Sequence, residues 1–344
     1  MSGTTGFQAD ESSSVTALRS RRYLVVSPCR NEEKFMRRTL ESVTRQSVPP
    51  ALWVIVDDGS TDSTPAVLAE YAARYPFIRV VRREDRGVRS VGPGVIEAFY
   101  AGLDTANLDE FEYLCKLDLD LDLPEKYFER LMAMMEAEPR LGTLSGKAYY
   151  IDADQKMVSE NIGDEVSVGA SKFYRVNCFR QIGGFVRQVM WDGIDCHRCR
   201  LLGWEACSRD DEDIRFIHLR PMGTSHHGIW TGRKRHGAGQ YFMGTGLPYM
   251  TASAVYRMIK PPLIAGGIAM WWGFVEAALA GKPRYEDAEF RRFLRRYQWE
   301  GLFIGKARAA RRAAERCRDR WDPSRPSAIT SAPSAPAANA ACAS

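Results

Sequence analysis

Between residues 22 and 123 short apolar runs alternate with amphipathic segments, regularly enough to predict a fold. Tyr23 to Ser27 reads as a buried strand closed by a Pro-containing turn, and Phe35, Met36, Leu40 and Val43 follow at helical spacing. ALWVIVDDGSTDSTPAVLAEYAARYP repeats the unit as apolar strand, polar turn and helix. A third strand, IRVVRRED, leads through a Gly-rich turn into the helix GVIEAFYAGLDTA; a fourth opens CKLDLDLDLP, and Pro124 predicts the start of the next helix. This alternation predicts an α/β fold with a doubly wound, mostly parallel sheet, whose ligands gather at the carboxyl ends of the strands. From Gly142 the pattern loosens into short β segments, with a turn at FRQIGGF and a helix at WDGIDCHRCRLLGWEAC.

The stretch CKLDLDLDLP is chemically odd for a buried strand. If it is one continuous strand, Lys116, Asp118, Asp120 and Asp122 share one face and the intervening leucines the other. Adjacent ionised aspartates two residues apart then cost on the order of 2 kcal/mol at an intermediate dielectric. A solvated face or a hard cation offsets that charge, and carboxylate oxygens suit Mg2+ or Mn2+ carrying phosphate oxygens. Two further polar clusters, SPCRNEE and VDDGSTD, end earlier strands, so all three are expected to line one crevice. At the second, Asp57 and Asp58 can accept hydrogen bonds from a base or ribose, Gly59 permits a tight turn, and Thr61 or Asp62 can cap the following helix.

Later in the chain the pattern changes. IKPPLIAGGIAMWWGFVEAALAG is apolar but interrupted by Glu276, a Pro pair and several glycines, which makes it a poor spanning helix. Arg291 to Arg320 holds eleven Arg or Lys against three acids with apolar residues at helical spacing, which suits a membrane-surface helix or a solvated helical extension. Trp271 and Trp272 suit either a bilayer interface or packing against the rest of the chain.

Composition refines this picture. The 344 residues are 45% hydrophobic and 26% charged, as in ordinary globular proteins, and the net charge of +5 is concentrated late in the chain as a basic patch. Eight scattered cysteines are too few for a disulfide scaffold and point to a reducing cytoplasm. Cys196, His197 and Cys199 lie on one expected helix with no second close CxxC, which speaks against zinc. Residues 1–20 read as a flexible tail with no secretory signal, and the Pro/Ala/Ser-rich residues 322–344 as a disordered one.

VSPCRNEEKFMRRTLESVTRQS, WVIVDDGSTDST and KLDLDLDLP together resemble the nucleotide-sugar half of family 2 glycosyltransferases, which have the GT-A fold. The resemblance covers roughly residues 22–228 and implies a GT-A domain over 21–245; the residue pattern of 246–321 reads separately as a helical, apolar then basic extension suited either to a membrane surface or to solvent. It implies that Pro28, Arg30 and Glu32 lie beside the nucleoside and that Asp57 and Asp58 contact the base. Asp118 and Asp120 would form a DxD motif holding a divalent metal, Mg2+ or Mn2+, on the donor diphosphate, with Asp122 outside that pattern. Arg86 and Arg89, in REDRGVRSVGPGVIEAF, are implied diphosphate or base contacts.

IGGF followed by WDGIDCHRCRLLGW marks where the family carries its catalytic base, which makes Asp192 the first candidate and Asp195 the second. His218 is a candidate third metal ligand, with His226 and His227 as competitors. The implied partners are a nucleotide-sugar donor and a carbohydrate or lipid-linked acceptor, with inversion at the anomeric carbon, in surface polysaccharide or glycolipid synthesis; no nucleic acid is expected. The implied location is the cytoplasm, at the inner face of the membrane. Two other classes compete: a haloacid dehalogenase-type phosphatase using the DxD pair, and a noncatalytic nucleotide-binding or receiver domain built on Asp57, Asp58 and Asp118.

Overall fold

A computed structural model of the chain describes residues 21–85, 92–220, 229–260 and 262–329. The first half alternates as expected: β1 (Tyr23–Cys29), α1 (Met36–Thr44), β2 (Leu52–Asp58), α2 (Thr64–Arg74), β3 (Ile78–Arg83), α3 (Pro93–Leu103), β4 (Tyr113–Leu117), β5 (Leu121–Asp122) and α4 (Tyr127–Ala137). There follow β6 (Leu141–Gly146), β7 (Ala148–Ile151), β8 (Met157–Ser159), β9 (Ser171–Arg175), α5 (Val176–Gln181), α6 (Trp191–Leu201), β10 (Glu205–Arg209) and β11 (Phe216–His218). Helices α7 (Ile229–Met243), α8 (Leu247–Met258), α9 (Ala265–Leu279), α10 (Ala288–Ile304) and α11 (Lys306–Arg316) complete the described chain.

The main sheet runs β10-β6-β9-β4-β1-β2-β3, and only β9 is antiparallel to its neighbours. Its central strands are apolar throughout because both faces are covered. Tyr23 and Val25 of β1 and Trp53 and Ile55 of β2 point into one core, with Met36, Leu40, Leu68 and Phe128 of α1, α2 and α4. The alternate residues Leu24, Val26, Val54 and Val56 enter the opposite core, with Ile96, Phe99 and Phe179 of α3 and α5. A small sheet, β5-β11-β7-β8, lies apart from the main one.

The aspartate-rich stretch is not one strand. Strand β4 stops at Leu117, the chain breaks direction over Asp118 to Asp120, and Leu121 and Asp122 pair instead with β11 in the small sheet. The Asp118 amide donates to Ala170 O at 2.8 Å and the Leu121 amide to Thr39 Oγ1 at 2.9 Å, so the break is held on both sides. The break spreads the charge, since each carboxylate meets a different cation. Asp118 pairs with Lys116 at 2.5 Å, Asp120 with Arg220 at 2.7 Å, and Asp122 with Arg38 at 2.8 Å. Lys116 therefore compensates Asp118, not Asp122.

The basic stretch after Arg291 is two helices parted at Gly305. Phe290, Leu294 and Tyr297 of α10 are buried against Ile194 and Leu201 of α6, while Trp299, Leu302 and Phe303 near its end stay exposed. Glu300 ties the two helices through Arg316 at 2.8 Å. Among the described residues no helix is long and apolar enough to cross a membrane.

Candidate active site

Strands β1, β2 and β4 are parallel neighbours, so their carboxyl ends open on one edge of the sheet. Strands sit about 4.8 Å apart, which puts the ends of β2 and β4, flanking β1, roughly 10 Å from each other. The residues expected beside the nucleoside stand at the ends of β1 and β2. Pro28 pairs in register with Val56, and Arg30 donates to Asp58 O at 2.9 Å while pairing with Asp85 at 2.5 Å. Asp57 is buried, accepts from the Ser60 amide at 2.8 Å through Oδ1, and keeps Oδ2 without a hydrogen-bond partner. Asp58 pairs with Arg83 at 2.7 Å.

Gly59 takes φ +74°, and a side chain there would come within 2.5 Å of the Asp85 backbone, so only glycine lets the two loops meet. Beside them a cleft of about 490 Å³ is lined by Gly59, Ser60, Thr61, Arg82, Arg83 and Asp85. Neither Thr61 nor Asp62 is the N-cap of the following helix, which is Ser63; Asp62, one residue before it, accepts from the Thr64 amide at 2.9 Å in a local turn. Arg86, Arg89, His226 and His227 lie outside the described residues.

The second half of the site is an acidic knot. Arg220, next to the end of β11, donates to Asp120 Oδ2 at 2.7 Å and to Glu32 Oε1 at 2.9 Å, joining the ends of β1 and β4. His218 Nε2 lies 3.6 Å from Asp120 Oδ1, and its Nδ1 lies 3.1 Å from Glu160. Burial works against a charge on His218, but hydrogen bonds and charge from Asp120 and Glu160 outweigh it and push its pKa up to about 9. Burial also works against the Asp120 carboxylate, yet His218 and Arg220 hold it below its ordinary value. Burial pushes the neighbouring Asp118 carboxyl up, with Lys116 opposing and Asp120 adding to the rise. The two carboxyl groups are thus shifted in opposite directions, while both keep a cationic partner.

Helix α6 brings the candidate bases. It starts after Met190, held at φ +71°, a left-handed backbone that costs a side-chain-bearing residue roughly 1–2 kcal/mol. Asp192 stands exposed in its first turn, with no hydrogen bond or ion pair from its carboxylate among the described residues. It lies against Gly169, where an added methyl would come 3.2 Å from its Oδ2, and the Gly169 carbonyl accepts from Lys116, the partner of Asp118. Trp191 lies between Lys116 and Lys172, with ring-centroid distances of 5.3 and 5.6 Å.

Asp195, one turn on, is fully buried and bonded to Lys172 Nζ and Tyr174 OH. Burial opposes the Lys172 charge, but Asp195 outweighs it and raises the ammonium above its ordinary value. Asp195 therefore anchors α6 to β9, out of a substrate's reach. Lys172→Met, which strands the Asp195 charge, is expected to cost about 3–5 kcal/mol, read as a lower urea midpoint. An unchanged midpoint would show that the pair does not hold the helix.

Cys196 and Cys199 face a different side from His197, whose ring packs 4.7 Å from Tyr297. Among the described residues no three His, Cys, Asp or Glu side chains are already gathered around a cation position. A haloacid dehalogenase arrangement needs its aspartate pair at the end of the first strand; here the pair follows β4.

A doubly wound α/β domain, with acidic groups at the ends of its central parallel strands and a small accessory sheet, defines the GT-A class. The glycosyl transferase family 2 model matches residues 24–189, and this part of the chain belongs to that family. A solved structure of GalNAc-T7 with UDP, GalNAc and Mn2+ shares the fold at a TM-score of 0.51 and 16% identity, over 74% of this chain and 54% of that one. An uncharacterized protein of Mycobacterium tuberculosis is 38% identical over 77 residues, 22% of each chain. Chondroitin synthase of Escherichia coli is 31% identical over 101 residues, 28% of this chain and 14% of its own length. The match thus spans about a fifth or less of these relatives.

Proposed function

We propose that the chain is an inverting glycosyltransferase that moves a sugar from a nucleoside-diphosphate sugar to a hydroxyl of a carbohydrate or lipid-linked acceptor. The observation that carries this reading is the convergence at one sheet edge. The Asp57 and Asp58 turns with their adjoining cleft, the Glu32–Arg220–Asp120 knot and the exposed carboxylate of Asp192 lie on neighbouring elements. Pro28, Arg30, Asp57 and Asp58 serve the nucleoside end, with Glu32 bridging towards the diphosphate. Arg86 and Arg89 are proposed diphosphate contacts.

The chemistry of the donor set fits a divalent cation. Asp120 Oδ1 is buried with no hydrogen-bond partner among the described residues and Asp118 offers a second hard oxygen; His218 Nε2, 3.6 Å from Asp120 Oδ1, would have to give up its proton to join them as a ligand. A bound Mg2+ or Mn2+ would supply positive charge against the leaving diphosphate. Arg220 and Lys116 now balance these carboxylates and keep them at the sheet edge. In the transfer itself, Asp192 accepts the proton of the acceptor hydroxyl as its oxygen bonds to the anomeric carbon. The bond from that carbon to the diphosphate breaks on the opposite face, releasing the nucleoside diphosphate.

The same reading places the reaction in surface polysaccharide or glycolipid synthesis at the inner face of the cytoplasmic membrane. UDP, GDP and dTDP, each with and without Mn2+, test it by thermal shift. One of them is expected to raise Tm on the order of 5 °C at about a hundredfold excess over its Kd, and only with the metal. No shift with any nucleotide would count decisively against the proposal.

A further inference from the structure

Among the described residues, every exposed large hydrophobic side chain other than Ile151 and Met157 lies between Trp230 and Phe303. Six of them gather where α8 gives way to α9. Val255, Tyr256 and Ile259 stand outward on one side and Leu263, Ile264 and Ile268 on the other; Ile259 is 69% and Leu263 63% exposed. The two faces are continuous, because Trp271 Nε1 on α9 donates to Thr251 Oγ1 on α8 at 3.2 Å.

The helices here are built inside out. The inner face of α9 is largely small, with Gly266, Gly267, Ala269, Gly273 and Ala277, while Ile268, Trp271 and Trp272 face outward. Gly237 of α7 and Gly273 of α9 let the backbones touch, since an added Cβ would come within 1.8 and 2.0 Å of the opposing carbonyls of Met270 and Lys234. The inner contacts are thus already saturated by close backbone packing, and the large apolar groups are left for something outside.

The charge around the tip has one sign. The sequence holds no Asp or Glu between Asp213 and Glu276, while Arg233, Lys234, Arg235, Arg257 and Lys260 fall in that interval. Lys234 pairs with Glu276 at 2.8 Å, but among the described residues Arg233, Arg257 and Lys260 have no carboxylate partner. Lys260 sits 4.9 Å from the centre of the Tyr256 ring, at the apolar rim. Burial and the neighbouring Arg257 charge both lower the Arg233 guanidinium, so the two cations face each other unneutralised.

We infer that the α8–α9 tip is a monotopic docking surface for an anionic lipid bilayer, with Tyr256, Ile259, Leu263 and Ile264 entering the interface and Arg233, Arg257 and Lys260 meeting headgroup phosphates. Tryptophan and tyrosine beside cations, on helices too short to span, suit that boundary. A second copy of the chain suits it less, because a two-fold contact would set the three unpaired cations against themselves. The surface also connects to the proposed site. Helix α7 carries Arg233 at one end and, two turns on, packs Gly239 against Met190, two residues before Asp192. The purpose of the surface, presenting a lipid-linked acceptor to Asp192, rests on the glycosyltransferase reading; the binding itself does not.

The full-length chain would be sedimented with vesicles of phosphatidylcholine alone and of phosphatidylcholine with phosphatidylglycerol, at low and high salt. Wild-type protein is expected to pellet with the anionic vesicles, and salt should release it. Ile259→Glu with Leu263→Glu, and separately Arg257→Glu with Lys260→Glu, are expected to weaken binding roughly tenfold or more, with unchanged circular dichroism and nucleotide thermal shift. The inference is overturned by no pelleting with either vesicle, by equal pelleting of the variants, or by a wild-type dimer that the same variants dissolve. Vesicle binding without any nucleotide shift would instead remove the transferase reading and leave the surface standing.

Discussion

Asp192→Asn is expected to lower sugar transfer by about 10²- to 10⁴-fold while leaving nucleoside-diphosphate binding and fold stability unchanged. The magnitude is that of a positioned general base. The selectivity follows from geometry: the Asp192 carboxylate is exposed and makes no hydrogen bond or ion pair among the described residues, so nothing structural is lost with its charge. Asparagine is nearly isosteric and cannot take the acceptor proton. Single-turnover transfer measured beside a nucleotide thermal shift separates the two effects. Full transfer activity in the variant would show that Asp192 is not the base. Asp195→Asn is expected to act differently, lowering stability through the buried Lys172 ammonium it leaves behind, so its activity loss would track its unfolding midpoint.

Asp120→Asn is expected to remove the metal-dependent part of the nucleotide thermal shift, leaving the same Tm with and without Mn2+. Asp120 has a buried oxygen with no hydrogen-bond partner among the described residues, which leaves it open to a divalent cation. Asp122→Asn is the matched control. Asp122 pairs only with the exposed Arg38 and is expected to cost less than about 1 kcal/mol and to keep the shift intact. A metal-dependent shift that survived Asp120→Asn would exclude Asp120 as a ligand; one lost in Asp122→Asn would move the site along the chain.

The doubly wound sheet was legible because a strand buried on both faces must be apolar throughout, and a helix laid on it must be apolar at every third or fourth position. Tyr23 to Val26 and Trp53 to Val56 show this alternation feeding two separate cores. The acidic strand ends were legible for the same reason, since topology sends parallel strand ends to one edge. The break after Leu117 was not, because alternating Leu and Asp fits a strand locally, and only the tertiary fold brings Arg220 to Asp120 and Arg38 to Asp122 while Lys116 of the same strand meets Asp118. Arg220 left one faint signal, standing two residues after His218 and hence on the same side of an extended chain. Nothing in the sequence separated Asp192 from Asp195, which sit one turn apart on one helix. Lys172 and Tyr174, reaching across from β9, bury one and leave the other open.

The amphipathic basic helix shows the same division. Its periodicity suited a membrane surface or solvent equally, and in the structure Phe290, Leu294 and Tyr297 pack instead on α6. A further exposed apolar face lies at the α8–α9 tip, on helices whose glycines bring the inner backbones into close contact. By itself the sequence determined the periodicities, and with them the fold class and the strand ends where chemistry gathers, because hydrophobic burial acts on neighbours along the chain. Tertiary structure alone decided which charge meets which, as with Arg220 and Glu32, which are 188 residues apart yet in hydrogen-bond contact. Electrostatic pairing depends on distance in space, and the chain order does not encode that distance.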